Sequence, residues 1–408
     1  MPPPQPADAA PAATRASEVP AGRRLASARS AVEPFHVMEV LKAAALRQRT
    51  HGDVLTLCAG QPSTPAPAVA RAAAIAALDT DVLGYTESTG ILPLRRAVAE
   101  HHRESAGIDV DPDDVVVFPG SSGAFTTLFL AAFDAGDQVA MTRPGYPAYR
   151  NSLAALGCEV VELACGPDTR FQPTVEMLDA LPEPPAGLIV ASPANPTGTV
   201  IDAQVLAELT AWCEEHGTLL ISDEIYHGLT YGREVASAWA TSQESVVVGS
   251  VSKYFSMTGW RVGWLLAPPS LRRPLEILTG NLNICPPAIG QHAAIAALGE
   301  GARAELDGHR ARYAATRDLL LRRLPEIGLR DYAPPDGAFY AWCDIGHLTD
   351  DSVAWCRALL DDCGVALTPG VDFDTVHGHR KVRLSFAGST QEVDEALDRM
   401  AASPLLRA

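Results

Sequence analysis

No stretch of this 408-residue chain approaches the roughly 20 uninterrupted apolar residues that cross a bilayer. The N-terminal MPPPQPADAAPAATRASEVPAGRR lacks a charged start ahead of an apolar stretch, and it lacks a small-residue cleavage site after one. These two absences argue against a membrane protein and against export, so a cytoplasmic location is expected. Positive charge is also scarce: the formal net charge is -17, which disfavours nucleic acid and anionic membranes as partners, because both reward a basic surface. The eight cysteines form no C-x-x-C pair, unlike a disulfide framework or a zinc site, and read as free thiols, mostly buried. There is no internal repeat of the solenoid kind. What remains is an ordinary globular composition, 47% hydrophobic and 20% charged, in a chain long enough for two or three domains.

Residues 1 to about 30 are Pro/Ala-rich and read as a disordered tail. Phe35, Val37, Met38, Leu41, Ala45 and Leu46 recur at helical spacing and predict an amphipathic helix over 34–49, with a short strand over 54–58. From about 65 to 298 helices alternate with short apolar strands. That pattern predicts an α/β unit with a mostly parallel sheet covered by helices on both faces. Its seven strands are placed at 115–118, 138–142, 159–163, 187–191, 218–222, 246–249 and 262–267, with helices at 123–133, 147–156, 202–216 and 286–298 among those between them. After 299 the rhythm changes to one long helix over 302–324, with strands at 338–343 and 382–386 and helices at 352–363 and 391–400. The expected organisation is a large domain over 61–299 and a smaller α+β domain built from 31–60 and 300–408.

In open α/β sheets ligands bind beyond the carboxyl ends of the strands, and four of these ends carry chemistry. Phe118 runs into Pro119-Gly120-Ser121-Ser122-Gly123-Ala124 and a helix, whose free N–H groups and dipole suit a phosphate or simply make a capping turn. Ala191 runs into Ser192-Pro193-Ala194-Asn195-Pro196-Thr197-Gly198, which presents the Asn195 amide or is an ordinary Asn-Pro turn. Ser222 delivers Asp223-Glu224-Ile225-Tyr226, where the aspartate serves a ligand, caps the next helix or pairs with a basic neighbour. Ser250-Val251-Ser252-Lys253 sits in a segment nearly free of other charges. There a buried lysine needs a neutral or covalently engaged amine, as a Schiff-base lysine has, and the alternative is a surface loop lysine.

Together the four turns supply, in chain order, a phosphate cradle, a phenolic-oxygen donor, a pyridinium partner and an imine lysine. With Gly60-Gln61-Pro62, Gly84-Tyr85, Pro144-Gly145-Tyr146, Arg261 and Arg383-Leu384-Ser385-Phe386 they make the sequence resemble the class I aminotransferases of fold type I, from about Pro34 to Met400. The resemblance implies pyridoxal 5'-phosphate as cofactor, carried on Lys253, which also shuttles the proton of transamination. It further implies Asp223 at the pyridine nitrogen, Asn195 and Tyr226 at the phenolic oxygen, and Tyr146 on the ring. The phosphate is expected on Ser121, Ser122, Ser250 and Arg261. Arg383, Asn195 and Gly60 are expected to hold the substrate carboxylate, and Tyr85 to reach the phosphate of the neighbouring subunit in a homodimer with shared active sites.

Other polar clusters carry less. His377 and His379 have no third ligand nearby, so no metal site is expected there. His101 and His102 are adjacent on a helix and cannot face one ligand, and the acidic run 109–114 lacks calcium-loop spacing. Dicarboxylate enzymes of this class need a second cation, supplied in some subgroups at the position of Ser122 and in others from a region matching 281–285; neither holds one here. An amino acid and 2-oxo acid pair without a distal charge, such as valine or alanine with pyruvate, is therefore favoured over aspartate. Arg143, Arg150 and Arg29 are the cations that could reverse that preference. A lyase on the same cofactor and a regulator that borrows the fold are the rival functions.

Overall fold

The structure is a computed structural model that describes residues 26–407. Most of the expected tail, residues 1–25, lies outside them, while its last residues, Ala28–Ser30, form an exposed 3-10 turn capped by the Ser27 side chain. In chain order the elements are α1 (His36–His51), β1 (Leu55–Thr56), α2 (Ala68–Thr80), α3 (Leu92–Ala106), β2 (Val115–Phe118), α4 (Gly120–Ala132), β3 (Gln138–Arg143), α5 (Pro147–Leu156) and β4 (Glu159–Ala164). There follow α6 (Val175–Asp179), β5 (Gly187–Ala191), α7 (Ala203–His216), β6 (Leu219–Asp223), α8 (Ala238–Thr241), β7 (Val246–Ser250), β8 (Gly263–Leu266), α9 (Pro269–Leu282) and α10 (Ala288–Leu298). The chain closes with α11 (Arg303–Arg323), β9 (Tyr340–Asp344), α12 (Ser352–Cys363), β10 (Val365–Ala366), β11 (Thr368–Pro369), β12 (Lys381–Ser385) and α13 (Thr390–Ala402).

All seven expected strands join one sheet in the order β2-β8-β7-β6-β5-β3-β4. The pairs from β7 outward to β4 are parallel, and β8 alone runs the other way, between β2 and β7. Alternate residues of these strands feed two different cores. Val117, Leu188, Val190, Leu220 and Val247 pack with residues of α3, α7 and α10, while Val116, Phe118, Ile189, Ile221 and Val248 pack with α4 and α5. Side chains alternate across a strand, so helices cover both faces, as the continuous apolar strands require.

The inserted β8 matters for what lies at the carboxyl edge. Gly263 pairs with both Phe118 and Ser250, and a Cβ there would crowd the Ser121 N–H. A glycine is thus what lets the first turn of α4 sit against the strand beside the Lys253 loop.

A separate apolar cluster joins α11, α12 and α13 to the antiparallel sheet β11-β12-β9 and to the parallel pair β1-β10. Several boundaries differ from the sequence reading. Helix α4 begins at Gly120 rather than 123, so the serines lie in its first turn. Strand β9 begins at Tyr340 rather than 338, because Ala338 holds a φ of +55° and its N–H bonds the Leu229 carbonyl at 2.9 Å. Helices α2 and α9 and the two-residue strands β10 and β11 have no counterpart in that reading; the alanine-rich run of α2 has no clear polar face, and two-residue strands are too short for alternation to register.

At the start of α13, Ser389 and Glu392 form a reciprocal capping box. Ser389→Ala is expected to lower the unfolding free energy by about 1 kcal/mol, measured by denaturant unfolding; an unchanged midpoint would contradict this assignment.

Candidate active site

A cavity of about 340 Å³ opens at the carboxyl edge of the seven-stranded sheet. Its wall brings together Lys253, Asp223, Tyr226, Asn195, Tyr146, Ser121, Ser122, Arg261, Gly60 and Arg383, residues separated by up to more than 300 positions in the chain. Among the described residues Asp223 is its only carboxylate, and Lys253, Arg261 and Arg383 are its only cations.

Strand ends aim these groups. Asp223 is the last residue of β6, 3% exposed, and accepts hydrogen bonds from the Tyr149 hydroxyl and, at 3.2 Å, from the Ile225 N–H. Burial pushes its carboxyl up to about 6, against the opposing pull of Tyr149, the Ile225 amide and Lys253. The neighbouring Glu224 turns to the other side of the strand, where it accepts from Ser222 Oγ and the Ala238 N–H. Lys253, in the loop after β7, donates from Nζ to the Gly60 carbonyl at 2.7 Å. Burial, with help from Arg383, pushes its amine down to about 8, which makes a neutral amine accessible near neutral pH.

At one end of the cavity, α4 presents the unpaired N–H groups of its first turn at Ser121 and Ser122. Arg261 approaches the same turn; it donates only to the Thr258 and Pro119 carbonyls, at 2.9 and 3.4 Å. Gly120, at a φ of +77°, is where a side chain would meet that guanidinium. At the other end Arg383 of β12, 3% exposed, donates to Asn195 Oδ1 (2.8 Å), the Cys58 carbonyl (2.7 Å) and Thr368 Oγ1 (3.3 Å). Its guanidinium lies 4.4 Å from the Tyr340 ring and 4.7 Å from the Phe373 ring, and its buried Nε has no partner.

Two expected residues stand elsewhere. Ser250 is off the cavity wall: its hydroxyl lies 2.8 Å from Ser252 Oγ and 3.1 Å from the Val262 carbonyl, and Ser252 is the serine that faces the cavity. Ser250 is the last residue of β7 and pairs with Gly263 of β8. Tyr85 is 85% exposed and lines a different depression, with Ile284 and Cys285.

Sequence reasoning missed two aromatic contributors. Tyr149 follows Tyr146 by three positions, the spacing that puts two side chains on one helical face. Tyr340 exchanges a 2.7 Å hydrogen bond with the Tyr226 hydroxyl, and as the first residue of β9 it carried no periodic signal. Val37, Met38 and Leu41 of α1, with Phe35 just before it, form an apolar side of the cavity; the sequence left open whether Phe35 and its helix close over the substrate or only pack.

The chain matches the family model described as aminotransferase class I and II over residues 52–400. It is 55% identical to the valine–pyruvate aminotransferase of Mycobacterium tuberculosis across 91% of this chain and 96% of that protein. Its fold superposes on the crystal structure of an aminotransferase from Mycobacterium tuberculosis with a TM-score of 0.92 and 54% identity, covering 93% of this chain and 99% of the other. On the aspartate aminotransferase of Thermus thermophilus with maleate, the TM-score is 0.88 at 34% identity, covering 93% and 100%. Matched to these proteins along nearly its whole length, the chain belongs to the class I and II aminotransferase family and is a fold type I aminotransferase.

Proposed function

We propose that the protein uses pyridoxal 5'-phosphate to move the amino group of a neutral or aliphatic L-amino acid, such as valine or alanine, to a 2-oxo acid such as pyruvate. The observation that carries the substrate reading is the cation inventory of the cavity. Arg261 serves the helix start and Lys253 the chemistry, so Arg383 is the one cation left for substrate, enough for an α-carboxylate and not for a second one. None of the three arginines that could add another lines the cavity. Arg143 lies 3.8 Å from Asp374, Arg150 lies 3.3 Å from Glu162, and Arg29 sits in the exposed turn before α1. A distal carboxylate would be left unpaired beside the apolar α1 residues, at a cost of several kcal/mol. The likeness to a valine–pyruvate aminotransferase supports the same reading.

The residues fit the cofactor. The α4 start and the Arg261 guanidinium, which meets only carbonyls, suit a phosphate dianion. Asp223, buried with no cation in pairing distance among the described residues, suits a protonated ring nitrogen, and such a partner would draw its carboxyl back toward the ionised form. When bound, the cofactor supplies the electron sink and the temporary amino carrier that no side chain here provides.

The protein's own groups do the rest. Asp223, oriented by Tyr149, would keep the ring nitrogen protonated; Tyr226 and Asn195 would serve the phenolic oxygen, and Tyr146 would cover the ring. Arg383 grips the substrate carboxylate with its planar fork, and Asn195 and the Gly60 backbone assist. The Lys253 amine would take the proton from the substrate α-carbon as base and give it up as acid at the carbon of the cofactor aldehyde, the shift that makes the reaction a transamination.

The exposed Tyr85, with Val82 at 94% and Ile284 at 51% exposure, supports a homodimer in which Tyr85 reaches the partner's phosphate end. Residues 31–60 and 300–408 act in this reading as one smaller domain carrying Arg383 and α1. No helix among the described residues is long and apolar enough to cross a membrane, and we place the enzyme in the cytoplasm.

A donor panel tests the substrate. With pyruvate as acceptor, kcat/KM for valine or alanine is expected to exceed that for aspartate by at least about tenfold; aspartate ahead of both would overturn the reading, and product formed without any 2-oxo acid would point to a lyase. The Lys253 amine gives a second test on cofactor-free protein. Its depressed value means the folded state resists protonation, so the penalty is full below pH 8 and fades as pH rises from about 8 toward the ordinary 10.5. Lys253→Met should therefore raise the unfolding temperature relative to wild type below pH 8, with the gap closing above it; a gap independent of pH would show that the amine is not held this way.

A further inference from the structure

The short loop 370–374 touches three parts of the cleft at once. The Asp372 carboxylate, 2% exposed, accepts from the His36 N–H at 2.7 Å and the Val37 N–H at 2.8 Å. These are the first amides of α1, whose own N-cap residue, Phe35, has no side chain able to cap them. The Asp372 carbonyl accepts from Arg150 Nη2 at 3.1 Å, and Arg150 is tied to Glu162 of β4. The next residue, Phe373, supports Arg383 with its ring and accepts the Gly145 N–H at 2.9 Å, next to the ring-covering Tyr146. Later in α1, Ala44 is buried in a small core with Cys58, Leu360 and Ala366, and Arg47 is locked to Asp53. Val37 reaches the same core, with Phe35 and Leu41 packed against it, and the first amides of the helix are held by Asp372.

We propose that Asp372 is a specificity-setting positioning residue: it seats the first turn of α1, and so fixes the apolar wall at the height that fits a branched aliphatic side chain while Arg383 holds the carboxylate. The inference rests on the aliphatic substrate reading above. Two hydrogen bonds from helix-terminal amides to a carboxylate are strong, and losing them frees the wall without touching the residues that hold cofactor or carboxylate. Valine carries two γ-methyls toward such a wall and alanine carries none. Asp372 also lies near Arg383, but that charge acts on every substrate carboxylate alike, so alanine is the internal control.

The test compares valine and alanine as donors for the holoenzyme and its Asp372→Ala and Asp372→Asn variants. Asp372→Ala is expected to lower kcat/KM for valine by about tenfold, mainly through KM, with a change below about twofold for alanine. Asp372→Asn keeps an acceptor for one of the two amides and should fall between; it also carries the test if the alanine variant does not fold. Met38→Ala, which trims the wall itself, should reproduce the valine-selective loss. Equal losses on both donors, or a loss confined to kcat, overturn the role of Asp372. A wild-type enzyme that turns over neither donor would instead overturn the aliphatic reading.

Discussion

A guanidinium taken out of water without a counter-charge is a costly state, and this cleft is organised around one. Arg383 is 3% exposed, and its hydrogen-bond acceptors are an amide oxygen, a carbonyl and a hydroxyl; no ion pair forms to it among the described residues. Two aromatic faces recover part of the desolvation cost, but the buried Nε remains unpaired. A ligand carboxylate offers the missing charge and a planar match to the fork. The same logic applies on a smaller scale to Lys253 and Asp223, whose burial holds them away from their ordinary ionisation. Groups whose charged forms burial disfavours become favourable when their complements bind, which is why perturbed groups collect at binding sites.

Architecture makes this concentration possible. Parallel strands deliver their last residues to one edge, and the reversed strand β8 brings Gly263 against both Phe118 and Ser250. The start of α4 and the lysine loop therefore become neighbours although about 130 residues separate them. From the second core, β12 carries Arg383 over the same edge, and α1 completes the wall. In the proposed reading substrate choice follows from subtraction: with Arg261 assigned to the phosphate and Lys253 to the chemistry, the cavity wall has one further cation and an apolar flank.

Much of this was readable before any coordinates because the strands are short, fully apolar runs bounded by turn residues, and because each motif follows such a run. Lys253 had a further signal that went unused: the chain contains only three lysines. Lys42 is exposed on α1, and Lys381 pairs with Asp344 at 2.6 Å. What stayed hidden depends on tertiary contact. Nothing local says that Ser252 rather than Ser250 faces the cavity, since the Ser250 hydroxyl is taken by the Val262 carbonyl of a distant segment. Tyr340 and Asp372 meet Tyr226 and His36 across 114 and 336 positions, and no periodicity encodes such pairs. Tyr85 could be placed only by its motif, because its expected target belongs to a second chain.

The most direct measurement is a crystal structure of the pyridoxal-phosphate-loaded enzyme with 3-methylbutanoate, which has the carboxylate and branched side chain of valine but no amine. The account predicts the carboxylate on the Arg383 guanidinium beside Asn195, with the methyl groups against Phe35, Met38 and Leu41. A carboxylate bound on another cation, leaving Arg383 with its present neutral partners, would contradict it.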